Sequence, residues 1–378
     1  MSELQARVLP GPAPARPGSA DDGVKFLFDK KETRNQRHAM AGEAAAREPV
    51  TVGTFCSGTD APIFALRQAG IPHRHVFSAE TNKHARTFIQ ANCPPETLYG
   101  DIMTLDLATV PRVDLFVAGP PCQPYSKMNP NRLCVSDSRV SVLVRCLQYV
   151  QCKSPTYCIF ENVVPMRKFW EGGSASKKDD LFTESWEQHV SPTLSILGAS
   201  YAVQTAVLDP IAFGCPQQRK RLYIVMIHKS QSQRFSFPPS IPLRKTYMDV
   251  LELELSHTDD EYMPRAWATG ILRRVLSKRI GAKGIVNINV LSAQLSNNKL
   301  TFVDRDYSFC ILSGSPSLVI ERGRYLTRNE LLKLQGFPGD EDTSCMSYLQ
   351  TNRLIGNAMN VTVLEHLFTT LLSHITPA

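Results

Sequence analysis

Long hydrophobic runs are missing from this chain. No stretch approaches the roughly 18 consecutive apolar residues that cross a bilayer, so no membrane helix is expected. The first residues are rich in Pro, Ala and Gly and lack the apolar centre of a secretion signal. None of the ten cysteines forms a C-x-x-C pair, and no His cluster accompanies them. A structural zinc site is therefore not expected, nor any other metal. Without a secretion signal the thiols are expected to stay reduced inside a cell. Charge is also sparse: 20% of residues are charged against 43% hydrophobic, which excludes wholesale disorder.

The 378 residues suffice for a large core and one to three domains. The net charge of +7 is modest, and most of the excess lies between Lys229 and Tyr325. That placement suits a surface facing a polyanion, and equally a solvated basic face. Residues 1–49, punctuated by Pro10, Pro12, Pro14 and Pro17, read as a disordered or loose tail. The acid-poor start with Arg7 and Arg16 also fits an organellar leader.

From residue 50 an α/β rhythm sets in. A β-branched run at 50–55 enters a turn of small residues, and a short amphipathic helix follows to Gly70. A second strand at 75–79 ends at Glu80, 22 residues after Gly58, the spacing at which nucleotide-binding α/β folds place an acid for ribose hydroxyls. A third strand ends near 99–102, and a buried one at 113–118 leads into Gly119-Pro120-Pro121-Cys122. A fifth at 156–160 runs into Glu161-Asn162-Val163. Open α/β sheets gather ligands at these strand ends, and two prolines stiffen the loop that carries Cys122. A cysteine held there is a candidate nucleophile. Residues 127–139 read as a lid, 140–151 as a helix, and 201–208 and 221–227 as two more strands. After His228 the rhythm breaks. A basic helix at 264–280 and a short one within 324–338 mark a smaller second domain, and an apolar helix at 363–375 returns to the first.

Pro120-Pro121-Cys122-Gln123-Pro124-Tyr125-Ser126, Glu161-Asn162-Val163, Gln217-Gln218-Arg219-Lys220-Arg221, the block ending Leu334-Gln335-Gly336-Phe337-Pro338, and Gly356-Asn357 occur in an order that resembles the cytosine-C5 methyltransferases. The resemblance spans about residues 50–375, apart from 229–323. It implies a Rossmann-like class I methyltransferase domain, with a mostly parallel sheet and helices on both faces. That catalytic domain takes 50–228 and 350–378, with 229–349 as an inserted target-recognition domain. It implies S-adenosylmethionine as cofactor and DNA as partner, with tRNA cytosine-C5 methylation or an inactive scaffold as alternatives. A nuclear location follows if the source is eukaryotic.

The same resemblance implies roles for single residues. Cys122 is the nucleophile that adds to cytosine C6, Glu161 donates at N3, Arg221 contacts the base, and Arg219 orients the site. The donor is held by the Cys56-Ser57-Gly58-Thr59-Asp60 turn, Glu80, Thr81, Asp101, Ile102, Pro120, Asn357 and Ala358. Gln123, Ser126, Arg139 and Gln217 face the substrate, and Asp137-Ser138-Arg139 supports closure of the lid. The chain departs from the family at the turn, where the usual Phe-x-Gly-x-Gly-Gly stands as Cys56-Ser57-Gly58-Thr59-Asp60-Ala61. One glycine remains, and Asp60 is expected to engage the donor's amino group.

Overall fold

The strands that read as apolar runs form one seven-stranded sheet. They are β1 (Val50–Phe55), β2 (His73–Ala79), β3 (Thr97–Tyr99), β4 (Leu115–Ala118), β5 (Tyr157–Val163), β6 (Tyr201–Leu208) and β8 (Arg221–His228), with β7 a two-residue strand at Gln217–Gln218. Their order is β3-β2-β1-β4-β5-β8-β6. The first five pair in parallel, and β8 runs antiparallel to both neighbours. The computed structural model describes residues 48–126, 139–170, 191–231, 234–253, 260–297 and 304–373. The tail through residue 47 and the lid residues 127–138 lie outside them.

All four residues of β4 are buried, as expected for a central strand covered on both faces. Leu115 and Val117 join one core with Ile63, Phe64, Phe88 and the final helix, while Phe116 joins another with Phe55, Phe77, Tyr149 and Phe160. The register of β1 against β2 shifts between Val52 and Gly53. A Cβ at Gly53 would stand 2.1 Å from Phe77 Cζ, so that ring crosses the strand only over a glycine. Helices α1 (Ala61–Gln68), α2 (Lys83–Asn92) and α3 (Val140–Lys153) connect the early strands. The Rossmann-like α/β class is therefore realised, with its mostly parallel sheet.

The segment after β8 builds a small antiparallel sheet of order β12-β11-β9, from β9 (Ile285–Asn287), β11 (Ser317–Val319) and β12 (Arg324–Tyr325). The basic helix (Ala266–Lys278) packs near it through buried Ala268, Ile271 and Val275. A parallel pair of β10 (Ser308–Phe309) with β7 ties this segment to the edge that carries Arg219. Further on, Phe337 packs edge-on against Phe64 of α1 and Phe88 of α2, with centroids 5.0 and 6.3 Å away. Val361 N–H donates to Gln335 O at 2.9 Å as the last helix (Val361–Leu371) begins. This part of 229–349 thus rests on helices of the large sheet. Among the described residues no helix is long and apolar enough to cross a membrane.

Candidate active site

The turn after β1 has an unusual backbone. Cys56, Gly58 and Asp60 all have positive φ, at 54°, 68° and 52°. Gly58 N–H donates to Glu80 Oε2 at 3.2 Å, and Glu80 Oε1 accepts from Thr81 and Asn82 N–H at 2.8 and 2.9 Å. Burial pushes the Glu80 carboxyl above its ordinary value, and these amide bonds oppose the shift.

The cysteine loop is seated by its neighbours. Gly119 N–H donates to Phe55 O at 3.1 Å. A Cβ on Gly119 would stand 2.9 Å from Cys56 O and 2.8 Å from Met359 Cε, so only glycine lets the two loops approach this closely. Asn162, 2% exposed, donates from Nδ2 to Pro120 O at 3.0 Å. Tyr125 and Ser126 N–H both donate to Cys122 O, at 3.0 and 2.9 Å, closing a turn beneath the half-buried cysteine.

Glu161 lies inside β5, opposite Tyr223, rather than beyond the strand's end as the sequence suggests. The strand continues through Val163 because Asn162 and Val163 still find partners on β8. Arg221 Nε lies 3.4 Å from Glu161 Oε1. That oxygen is buried and accepts no hydrogen bond among the described residues. Burial raises the Glu161 carboxyl, and Arg221 and Arg219 partly offset the rise. Burial and Glu161 together raise the Cys122 thiol, against the pull of the same two arginines. Cys310, brought alongside by the β10–β7 pair, lies 3.1 Å from Arg219 Nη1 and 3.7 Å from Arg221 Nη2 through its sulfur. Its thiol is lowered: the two guanidinium charges outweigh the effect of burial.

Arg219 is only 3% exposed. Its Nη2 donates to Gly356 O at 3.1 Å and Ala358 O at 2.9 Å, and its Nη1 to Ile311 O at 3.4 Å. It holds the carboxyl-terminal segment rather than reaching toward Glu161.

One cavity of about 350 Å³ collects most of the expected residues. Cys56, Gly58, Glu80, Thr81, Pro120 and Asn357 line it together with Cys122, Gln123, Arg139, Glu161, Arg219 and Arg221. Others are placed elsewhere. Ser57, Thr59 and Asp60 are buried beneath the turn, and Asp60 is wholly enclosed. Its carboxylate accepts from Thr54, Ser57 and Ser78 hydroxyls, so the expected contact with the donor's amino group is replaced by an internal one. Ile102 is core, and exposed Asp101 accepts from Met103 N–H in its own turn. Ala358 is buried and offers its carbonyl to Arg219. Gln217 is wholly buried, with Nε2 on Leu334 O at 2.8 Å, so it faces the interior and not the substrate. Ser126 lies beside the cavity, in the turn under Cys122. Asp137 and Ser138 lie outside the described residues.

Sequence reasoning missed Asn82, His84, Gln350, Arg353 and Leu354, which also line the cavity. The last three sit on the helix Tyr348–Asn357, whose Ser347-x-x-Gln350 capping box marks a helix start but not the face it presents.

The chain is similar to known methyltransferases. Type II methyltransferase M.NgoBI of Neisseria gonorrhoeae is 30% identical over 295 residues, covering 77% of this chain and 84% of its own length. Type II methyltransferase M.NlaX of Neisseria lactamica is 30% identical over 297 residues, covering 77% and 86%. The S. pombe Dnmt2 methyltransferase shares the fold with a TM-score of 0.59 at 21% identity, over 87% of this chain and 100% of that one. The two Neisseria relatives are bacterial and give the nuclear expectation no support. The family model for C-5 cytosine-specific DNA methylase matches residues 50–373. The chain belongs to the C-5 cytosine-specific DNA methylase family, whose methyl donor is S-adenosylmethionine.

Proposed function

We propose that this protein methylates C5 of a cytosine in DNA through a transient bond between Cys122 Sγ and C6 of the base. The observation that carries the reading is a single cavity lined by Cys122, Glu161 and Arg221 together with Gly58 and Glu80. Cytosine C5 is a weak nucleophile. Addition of the Cys122 thiolate at C6 converts the ring to an enamine and places electron density on C5. Charge also gathers at N3, where a protonated Glu161 donates; its raised carboxyl favours that form. Arg221 flanks Glu161 and lowers the Cys122 thiol, so it favours the thiolate at the start of the reaction. Once C5 carries the methyl group, its proton is lost to water, the C6–S bond cleaves to return the free thiolate, and N3 gives its proton back to Glu161.

S-adenosylmethionine supplies an electrophilic methyl group when bound. The residues fit it. A Cβ at Gly58 would enter open space, so the backbone there is accessible from the cavity. Glu80 accepts three amide bonds, which fix its carboxylate and leave acceptor capacity for ribose hydroxyls. Thr81, Pro120 and Asn357 complete the holding set.

A cytosine in a duplex must leave the stack to meet Cys122, so base flipping belongs to this proposal. Residues 229–349 act as the target-recognition region, joined to the catalytic edge by the β10–β7 pair. The test compares methyl transfer to duplex DNA and to tRNA, with Cys122→Ser as control. Transfer to DNA is expected, lost in the variant while donor binding persists. A covalent adduct with DNA carrying 5-fluorocytosine is also expected. Labelling of tRNA alone would overturn the substrate, and full activity of Cys122→Ser would overturn the mechanism.

A further inference from the structure

The turn at 56–60 makes a demand that its sequence does not obviously meet. Three of its five residues have positive φ, and only one is glycine. L-residues reach this region at a cost, least for Asp and Asn when the side chain finds local hydrogen bonds. We propose that Asp60 is a positioning residue for the methyl donor: its buried carboxylate clamps the turn to β1 and β2 and so fixes Gly58 and Glu80, without touching the donor. The proposal rests on the reading of this cavity as the donor site.

Asp60 occupies the N-cap position of α1, where an Asp ordinarily accepts from the helix amides. It makes no such bond. Its carboxylate turns to the sheet instead. Oδ1 accepts from Thr54 Oγ1 on β1 at 2.6 Å and from Ser57 within the turn, and Oδ2 accepts from Ser78 on β2. His75 Nε2 stands 3.5 Å from Oδ2 and 2.8 Å from Ser78 Oγ. Thr54 and Ser78 are themselves 3.0 Å apart. The carboxylate thus joins the ends of two neighbouring strands to the turn between them. Gly58 lies two residues before Asp60, and Glu80 two residues after Ser78. The Gly58–Glu80 bond is therefore made between two segments that Asp60 anchors from below.

The experiment measures S-adenosylmethionine affinity by calorimetry, and DNA affinity in parallel, on the full chain. Asp60→Ala is expected to weaken donor binding about tenfold or more, since it loses both the clamp and the residue suited to this φ. DNA affinity and circular dichroism are expected to hold. Asp60→Asn keeps an acceptor oxygen and tolerates the backbone, so it is expected to recover most of the loss. If Asp60→Ala fails to fold, Ser57→Ala and Ser78→Ala remove the donors singly, with a roughly two- to tenfold loss expected from each. Unchanged donor affinity in these variants, or a parallel loss of donor and DNA affinity, would overturn the inference alone. An unmodified chain that binds no donor would overturn the reading of the cavity, and this inference with it.

Discussion

Replacing Arg219 with Met should loosen the side of the cavity that Asn357 lines. The guanidinium spans Gly356 O and Ala358 O, the carbonyls on either side of Asn357, which lines the cavity. Both bonds are short and enclosed, and a hydrogen bond to a charged group contributes about 1.5–3 kcal/mol. The contact to Ile311 O, at 3.4 Å, adds little. Two such bonds, reduced by relaxation and water entry, give an expected loss of about 3 kcal/mol. The backbone bond from Arg219 N–H to Asp209 Oδ1 survives the change, so the chain path at 219 should hold. Denaturant unfolding would show a lower midpoint at an unchanged slope, and calorimetry a weaker donor affinity. Arg221→Met should act on the reacting groups more directly. Its side chain is only 18% exposed and faces the buried Glu161, so turnover should fall and the carboxyl left without its partner should cost stability as well. Because Arg221 lowers both the Cys122 thiol and the Glu161 carboxyl, its removal should move both limbs of the pH–rate profile upward. The assignment fails if Arg219→Met stays within about 0.5 kcal/mol of the wild type and keeps its donor affinity.

Glu161 should make the site less stable as pH rises. Its folded carboxyl is raised above the unfolded value, so the unfolded state loses its proton first and stability falls until the folded group also ionises. The stability of Glu161→Gln relative to wild type should therefore grow as pH rises from the ordinary carboxyl range toward neutrality, and a pH-independent difference would contradict the shift. Gly119→Ala places a Cβ 2.9 Å from a backbone oxygen, which must move; a loss of about 1–3 kcal/mol by thermal unfolding is expected, with a larger loss in turnover, and wild-type behaviour in both would show that the loops are not in close contact. Glu330 is wholly buried and bonds Arg324 through both oxygens, at 2.7 and 2.8 Å, while also taking the N–H groups of Thr327 and Glu252. Glu330→Ala leaves a guanidinium without its partner and should cost about 3–5 kcal/mol by denaturant unfolding; a cost below 1 kcal/mol would mean that water already shares the pair.

What was legible in the sequence, and what was not, divides along the range of the interactions. Buried parallel strands announce themselves as apolar runs, so β1, β2, β4, β5 and the alternation with helices were readable from neighbours alone. Glu80 was readable because a fold that repeats strand, turn and helix places it at a fixed spacing. The reach of a polar side chain has no such local rule. Asp60 looks like a turn residue free to meet a ligand, yet Thr54 and Ser78, hydroxyls on two strands 24 residues apart, draw its carboxylate inward. Arg219 and Arg221 look like one alternating pair, but β8 begins only at Arg221, so the strand rule does not govern Arg219. Its guanidinium goes to carbonyls 137 and 139 residues away. The sequence puts Glu161 at the end of the fifth strand, because the apolar run stops at Phe160. Pairing with β8 keeps the strand going, and Asn162 turns its amide to Pro120. In each case the misplaced residue ties a loop down, or sits beside one that does. That is why Asp60, judged from its place in the turn, reads as a ligand residue although its carboxylate is taken up by the two strands beneath.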